Sequence, residues 1–171
     1  MIAVTFRRLA ESDLRLFHEW LQRPHVKRWW SDRETYEGVV EHYLPSIDGR
    51  DPTELYFAVV DERPVGFIQT YLLTDYPEYA ALVGEGEGVA GVDLFVADEA
   101  MTGRGLGTEM LRRFVGDVVF ARTGVVRCVA DPDVRNIASL RAFEKAGFER
   151  AREFVDPEDG RLHALVVRDR G

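Results

Sequence analysis

The sequence predicts an α/β domain, α+β in character, built on a mixed β-sheet. Three observations lead there. Short runs rich in β-branched and aromatic residues alternate with runs whose apolar residues recur at helical spacing. Two pairs of strand-like runs are joined by turns, and the order reads β-α-α-β-β-β-α-β-α-β-β. The 171 residues hold no internal repeat, low-complexity tract or long linker, so one domain, 1–171, is expected, large enough to bury a core.

The elements follow in order. Residues 4–9 form a short strand. Ser12 or Asp13 is placed to cap a helix whose Leu14, Phe17, Trp20 and Leu21 share one face, and Pro24 ends it. A second helix is expected over about 34–43. Strands at 55–60 and 65–73 flank the turn Asp61-Glu62-Arg63-Pro64 and make a hairpin. Residues 74–88, with Asp75, Glu78, Glu85 and Glu87, read as an acidic loop. A strand at 89–96 is followed by a helix at 105–120, with Leu106, Met110, Leu111, Phe114 and Val118 on one face. A strand at 125–130 precedes a helix at 136–146 closed by Gly147, the residue favoured just past a helix end. Strands at 148–155 and 162–167 flank Asp156-Pro157-Glu158-Asp159-Gly160 in a last hairpin.

Composition narrows the function classes. There are 30 acidic and 22 basic residues, a formal net charge of −8, which argues against a nucleic-acid binder. An acidic cleft would concentrate cations, although solubility alone accounts for such a charge. No apolar run approaches the roughly 18 residues that span a membrane, and residues 1–8 lack a signal-peptide pattern. Cytoplasm is the expected location. One cysteine, Cys128, permits no internal disulfide and reads as a small core residue. His18, His25, His42 and His163 are dispersed without metal-ligand spacing, so no metal is expected.

The chemistry starts at Thr102-Gly103-Arg104-Gly105-Leu106-Gly107-Thr108, between a strand and a helix. Glycines let the backbone turn sharply and let a ligand approach it closely. The first N–H groups of a helix lack internal partners and, with the helix dipole, form an anion site suited to phosphate. The spacing differs from the dinucleotide G-x-G-x-x-G, and no Gly-Lys-Ser/Thr phosphate loop is present. A glycine-rich turn that merely packs closely is the alternative.

Downstream, Asn136 opens a helix carrying Ala138, Ser139, Leu140 and Phe143, then Glu144-Lys145-Ala146-Gly147-Phe148. Together with the glycine turn, this pattern over 89–148 resembles the GNAT superfamily of N-acetyltransferases. The resemblance implies a mostly antiparallel sheet with helices on both faces and a V-shaped splay after the fourth strand. It also implies acetyl-CoA as cofactor. The backbone at Leu94, Phe95 and Val96 would pair with the pantetheine arm. Gly103, Arg104, Gly105, Leu106, Gly107 and Thr108 would hold the pyrophosphate, and Asn136 and Ala138 would lie along the arm. Asn136 serves equally as a helix cap. Two positions depart from the superfamily: Thr102 stands where Gln or Arg is usual, and Phe143 where Tyr is usual. Phenylalanine donates no proton, which leaves the acid for the departing thiolate to solvent or another hydroxyl.

Segments spread from residue 4 to the last hairpin resemble the aminoglycoside 6′-N-acetyltransferases. Among them are His25-Val26-Lys27-Arg28-Trp29-Trp30, Glu41-His42-Tyr43-Leu44, Gly66-Phe67-Ile68-Gln69-Thr70-Tyr71, Gly91-Val92-Asp93 and Ala130-Asp131-Pro132. Siderophore-type lysine acyltransferases share much of the pattern but carry His at the position of Asp93. The resemblance therefore implies a polycationic amine substrate, with Trp30, Tyr43, Gln69, Tyr71, Asp93 and Asp131 as its contacts. One of Trp29 and Trp30 is expected buried and the other exposed. An aliphatic amine has a pKa of roughly 10, so it arrives as ammonium and must lose a proton before attacking a thioester. Asp93 is the candidate base, Leu94 N–H the candidate oxyanion donor, and Asp131 a second ammonium site or simply a strand-ending turn. A lysine or peptide amine as acceptor, and a CoA-binding sensor without catalysis, stay open as alternatives. Monomer and homodimer are undecided.

Overall fold

The computed structural model describes residues 2–30 and 35–171. Its strands are β1 (Thr5–Arg8), β2 (Glu54–Val60), β3 (Arg63–Leu72), β4 (Val89–Val96), β5 (Arg127–Ala130), β6 (Glu149–Val155) and β7 (Leu162–Asp169). They form one sheet in the order β1-β2-β3-β4-β5-β7-β6. Every pairing is antiparallel except β4 with β5. A parallel neighbour requires a crossover, supplied by helix α5 (Leu106–Phe114) and the π-turn Val115–Val119 that continues it.

The expected mixed, mostly antiparallel sheet is present, and strand alternation splits its side chains between two layers. On one face, α1 (Leu14–Gln22), the single turn α2 (Pro24–Lys27) and α3 (Tyr36–Ile47) cover Leu55, Phe57 and Phe67. On the other, α5 and α6 (Ile137–Lys145) cover Ile68, Ala90, Val92, Cys128, Ala130 and Val166. A smaller cluster, Leu73, Val83, Val89, Val129, Phe154 and Leu165, lies on the same face as Phe67 but farther along the sheet.

Three local expectations change. Residues 74–88 contain helix α4 (Pro77–Val83), which begins on proline and stops at Gly84 with φ +71°. The charges disguised it: Val83 is buried, and Tyr79, Ala80 and Leu82 pack against the third cluster. Asp13 does not cap α1; its carboxylate accepts from Ala10 N–H at 2.8 Å and pairs with Arg7, closing the turn before the helix. Helix α3 starts behind Thr35, whose hydroxyl accepts from Gly38 N–H at 3.0 Å, and runs through Pro45 to Ile47, beyond the expected end at 43. The expected start at Glu34 lies outside the described residues.

Gly66 on β3 lets α5 lie close to the sheet. A Cβ there would sit 2.8 Å from the Phe95 carbonyl oxygen and 2.9 Å from Met110 Cε. Methionine yields, but the backbone oxygen does not. Gly66→Ala is expected to cost about 1–3 kcal/mol, the usual range for overpacking a core. An unchanged urea midpoint would show that the sheet absorbs the methyl freely.

Candidate active site

Beyond Gly91 the sheet opens. β4 and β5 pair only at Val89↔Arg127, Ala90↔Cys128 and Gly91↔Val129, while β4 continues to Val96. Ala97 N–H donates to Val65 O at 2.8 Å. By antiparallel alternation, Val92, Leu94 and Val96 therefore direct their peptide groups away from β3, into the gap. The Val96 carbonyl accepts from His25 Nε2 at 3.0 Å. Phe95 points its peptide groups toward β3 and its ring at Phe17, Trp30 and Phe67. Of the three residues expected along a pantetheine arm, Leu94 and Val96 thus offer the gap-facing backbone.

A groove of about 1690 Å³ runs from Trp29, Trp30 and Tyr43, past Asp93, to Gly103, Gly105, Gly107, Thr108, Asn136 and Ala138. Gly103 and Gly105 have φ +72° and +83°, and Gly105 directly precedes α5. No heavy atom lies within 4 Å of an added Cβ at either position, so backbone conformation, not crowding, requires glycine there. The turn aims the unpartnered N–H groups at the start of α5 toward the groove. Leu106 buries its side chain in the core, so only its peptide group is available, and Arg104 is exposed away from the groove lining. Thr102, which also lines the groove, donates its hydroxyl to Glu99 O at 2.6 Å and so fastens the turn. Asn136 caps α6 by accepting from Ser139 N–H at 3.2 Å while lining the groove.

The opposite end holds the acidic groups. Gln69, Tyr71, Asp93, Asp131 and His163 all stand on the face between the α1–α3 cluster and the α4 cluster, a consequence of strand alternation. Asp93 is half-buried and accepts from Gln69 Nε2 at 3.0 Å. Loss of water, and then the charge of Asp131, raise its pKa to about 6, against the pull of Gln69 and Tyr71. Tyr71 lies across Gly91, where a Cβ would strike its ring. Burial holds Tyr71 far above the usual phenol range, so it stays a donor. Asp131 accepts from Tyr79 Oη at 2.6 Å and faces His163 Nδ1 at 3.1 Å. It is therefore partnered before any substrate enters, and one partner comes from the helix missed in the sequence.

Tyr43 is 3% exposed, packed on Phe17, and accepts from Trp30 Nε1 at 3.2 Å. Trp29 and Trp30 are both half-buried, in place of the expected buried and exposed pair. Trp30 leans on Phe67 and Phe95, while Trp29 lies near the guanidiniums of Arg28 and Arg135. Glu85, in the stretch read as an acidic loop, is held by Arg127 at 2.7 Å. Cys128 is buried, which pushes its thiol up and suits a core residue. Asp131, Asp156 and His163 bring three potential ligand atoms within 4.8 Å of one another. Both ring nitrogens of His163 face oxygen acceptors, so the imidazole presents no lone pair to a cation. No helix among the described residues is long and apolar enough to cross a membrane.

Residues 10–155 match the family model of the acetyltransferase (GNAT) domain. The aminoglycoside N(6′)-acetyltransferase type 1 of Klebsiella pneumoniae is 32% identical over 169 residues, 97% of this chain and 84% of that protein. A kanamycin resistance protein of Rhizobium radiobacter is 33% identical over 81 residues, 47% of this chain and 74% of that protein. Among solved structures, the aminoglycoside acetyltransferase AAC(6′)-Ib in complex with coenzyme A and kanamycin superposes with a TM-score of 0.83 at 32% identity. That match covers 98% of this chain and 95% of the other.

Proposed function

The chain belongs to the GNAT acetyltransferase family, and on that premise we propose that it transfers an acetyl group from acetyl-CoA to the 6′-amine of an aminoglycoside. One observation carries the reading. Asp93, with a pKa near 6, neighbours a residue whose peptide group faces the gap between β4 and β5. A carboxylate and an N–H donor thus meet where the two halves of the sheet part.

The groove fits the cofactor on two counts. The glycine turn leaves open space above its backbone, and the gap exposes unpaired peptide groups of a strand. The N–H groups of Gly107 and Thr108 would hold the pyrophosphate, and Leu94 and Val96 would pair with the pantetheine amides. Bound acetyl-CoA supplies an activated thioester. Asp93 and Asp131 attract the substrate ammonium, and Gln69 and Tyr71 orient Asp93. Above its pKa, Asp93 takes the proton directly or through water. Its modest basicity makes binding and orienting the amine as important as proton removal. Leu94 N–H would donate to the carbonyl oxygen of the bound thioester. Phe143 is buried against Phe148 and carries no hydroxyl, so the acid for the thiolate would be solvent or another hydroxyl of the groove, where Thr108 and Ser139 stand.

Thiol release from acetyl-CoA, followed with kanamycin, tobramycin, a lysine side-chain amine and a peptide N-terminus, tests the reading. Saturable turnover is expected on the aminoglycosides, with the product modified at the 6′-amine. Rates equal to the blank across the aminoglycosides would overturn it. Turnover on the lysine or peptide amine alone would reassign the acceptor.

A further inference from the structure

The cleft contains a resident cation that the mechanism above leaves unused. His163 Nδ1 faces the Asp131 carbonyl oxygen at 2.6 Å and its Oδ2 at 3.1 Å, while Nε2 faces Asp159 Oδ2 at 2.8 Å. Carbonyl and carboxylate oxygens accept and do not donate, and a neutral imidazole has one N–H. Only the imidazolium satisfies both ends. The residue is 9% exposed, with Phe154 beside its ring at 6.0 Å.

The surrounding charges favour the same state. Asp156 Oδ2 lies 3.9 Å from Nδ1, in the turn between β6 and β7 that also carries Asp159. The nearby guanidiniums of Arg135 and Arg161 are paired to Asp133, at 2.9 and 3.7 Å. Tyr79 of α4 donates to the second Asp131 oxygen. Hydrogen bonding to Asp131, above all, raises the His163 pKa to about 10. Asp93 in turn feels Gln69 and Tyr71 from β3, Asp131 from the end of β5 and Glu158 from the β6–β7 turn.

We propose that His163 is a positioning residue for acetyl transfer, which ties Asp131 to the β6–β7 turn and keeps Asp93 ionised by offsetting the negative charge of Asp131. This deepens the proposed function and rests on it for the word transfer, but its physical core needs no substrate. The sign is fixed. Without the imidazolium, Asp131 repels negative charge at Asp93 more strongly, and Asp93 ionises at higher pH. Without the Asp131 carboxylate, Asp93 ionises at lower pH.

The test follows the Asp93 carboxylate by carbon NMR, and the imidazole by nitrogen NMR, in the intact protein, His163→Gln and Asp131→Asn. In the wild type, both ring nitrogens should carry protons at pH 8. The Asp93 midpoint should rise by about one unit in His163→Gln and fall in Asp131→Asn. The acid limb of kcat/KM should move with it, since the substrate's own amine contributes equally to every variant. A His163 that titrates near the ordinary value of about 6.5, or an Asp93 midpoint unmoved by His163→Gln, overturns the proposal. A role confined to stability would lower the rate at every pH and leave the limb in place. Should His163→Gln not fold, the nitrogen spectrum of the wild type decides alone, since a ring with one proton at pH 8 overturns the proposal. Absence of turnover on aminoglycosides would sink the proposed function and leave the two NMR titrations to judge His163.

Discussion

Asp93→Asn is expected to lower kcat by about 10²-fold or more, the range seen when an acid–base group is removed. Its stability should move the other way. The native pKa of Asp93 is raised to about 6 from the ordinary carboxylate value of 3.8, so the folded state binds more protons between those values. By linkage, stability contributed at this site is present below about pH 4 and lost as pH rises toward 6. At pH 7 the wild type therefore keeps a charge that the fold disfavours. Asparagine removes it and can still accept from Gln69. The variant is expected to unfold later than the wild type, by on the order of 1 kcal/mol, while turning over poorly. Loss of activity together with loss of stability would point to a structural residue. In the wild type, kcat/KM should fall as pH drops through about 6, and an acid limb near 4 would place the base elsewhere.

Gly105→Val should act on the cofactor instead. At φ +83° a valine is strained whatever the space around it, and no neighbour lies within 4 Å to clash. Strain of about 1–3 kcal/mol is relieved if the turn rotates and its N–H groups leave their aim. The KM for acetyl-CoA should rise roughly tenfold to a hundredfold, with little change in the KM of the amine. Gly105→Asn, which tolerates the left-handed region better, should fall between valine and wild type. Equal KM values for acetyl-CoA in all three proteins would remove the turn from the cofactor site.

Much of the fold was legible because its signals are local. The glycine turn, the β2–β3 and β6–β7 hairpins, and the apolar stripe of α5 each declare themselves within a short window. The candidate site was legible where it follows from one strand or one turn, as with Asp93, Gln69 and Tyr71. What was missed depends on distance along the chain. Helix α4 hid behind Pro77, Gly84 and its acidic neighbours, because its apolar face has meaning only against Leu73, Val129 and Phe154. Tyr79 reaches Asp131 across 52 residues, and His163 reaches it across 32. Neither partner leaves a spacing pattern in the sequence. His163 read as one of four scattered histidines, although the register that places it opposite Phe154 follows from the hairpin.

The departure of β5 from β4 after three residue pairs has one more consequence. It creates an edge strand in the middle of a sheet. An exposed edge ordinarily invites another chain to add itself, with aggregation as the hazard. Here the edge lies inside a groove lined by residues of α5, α6 and the turn after β5. A narrow ligand with amide groups along its length suits the same opening. The protein thereby retains the hydrogen-bonding capacity of an unfinished sheet within a groove and not along its rim.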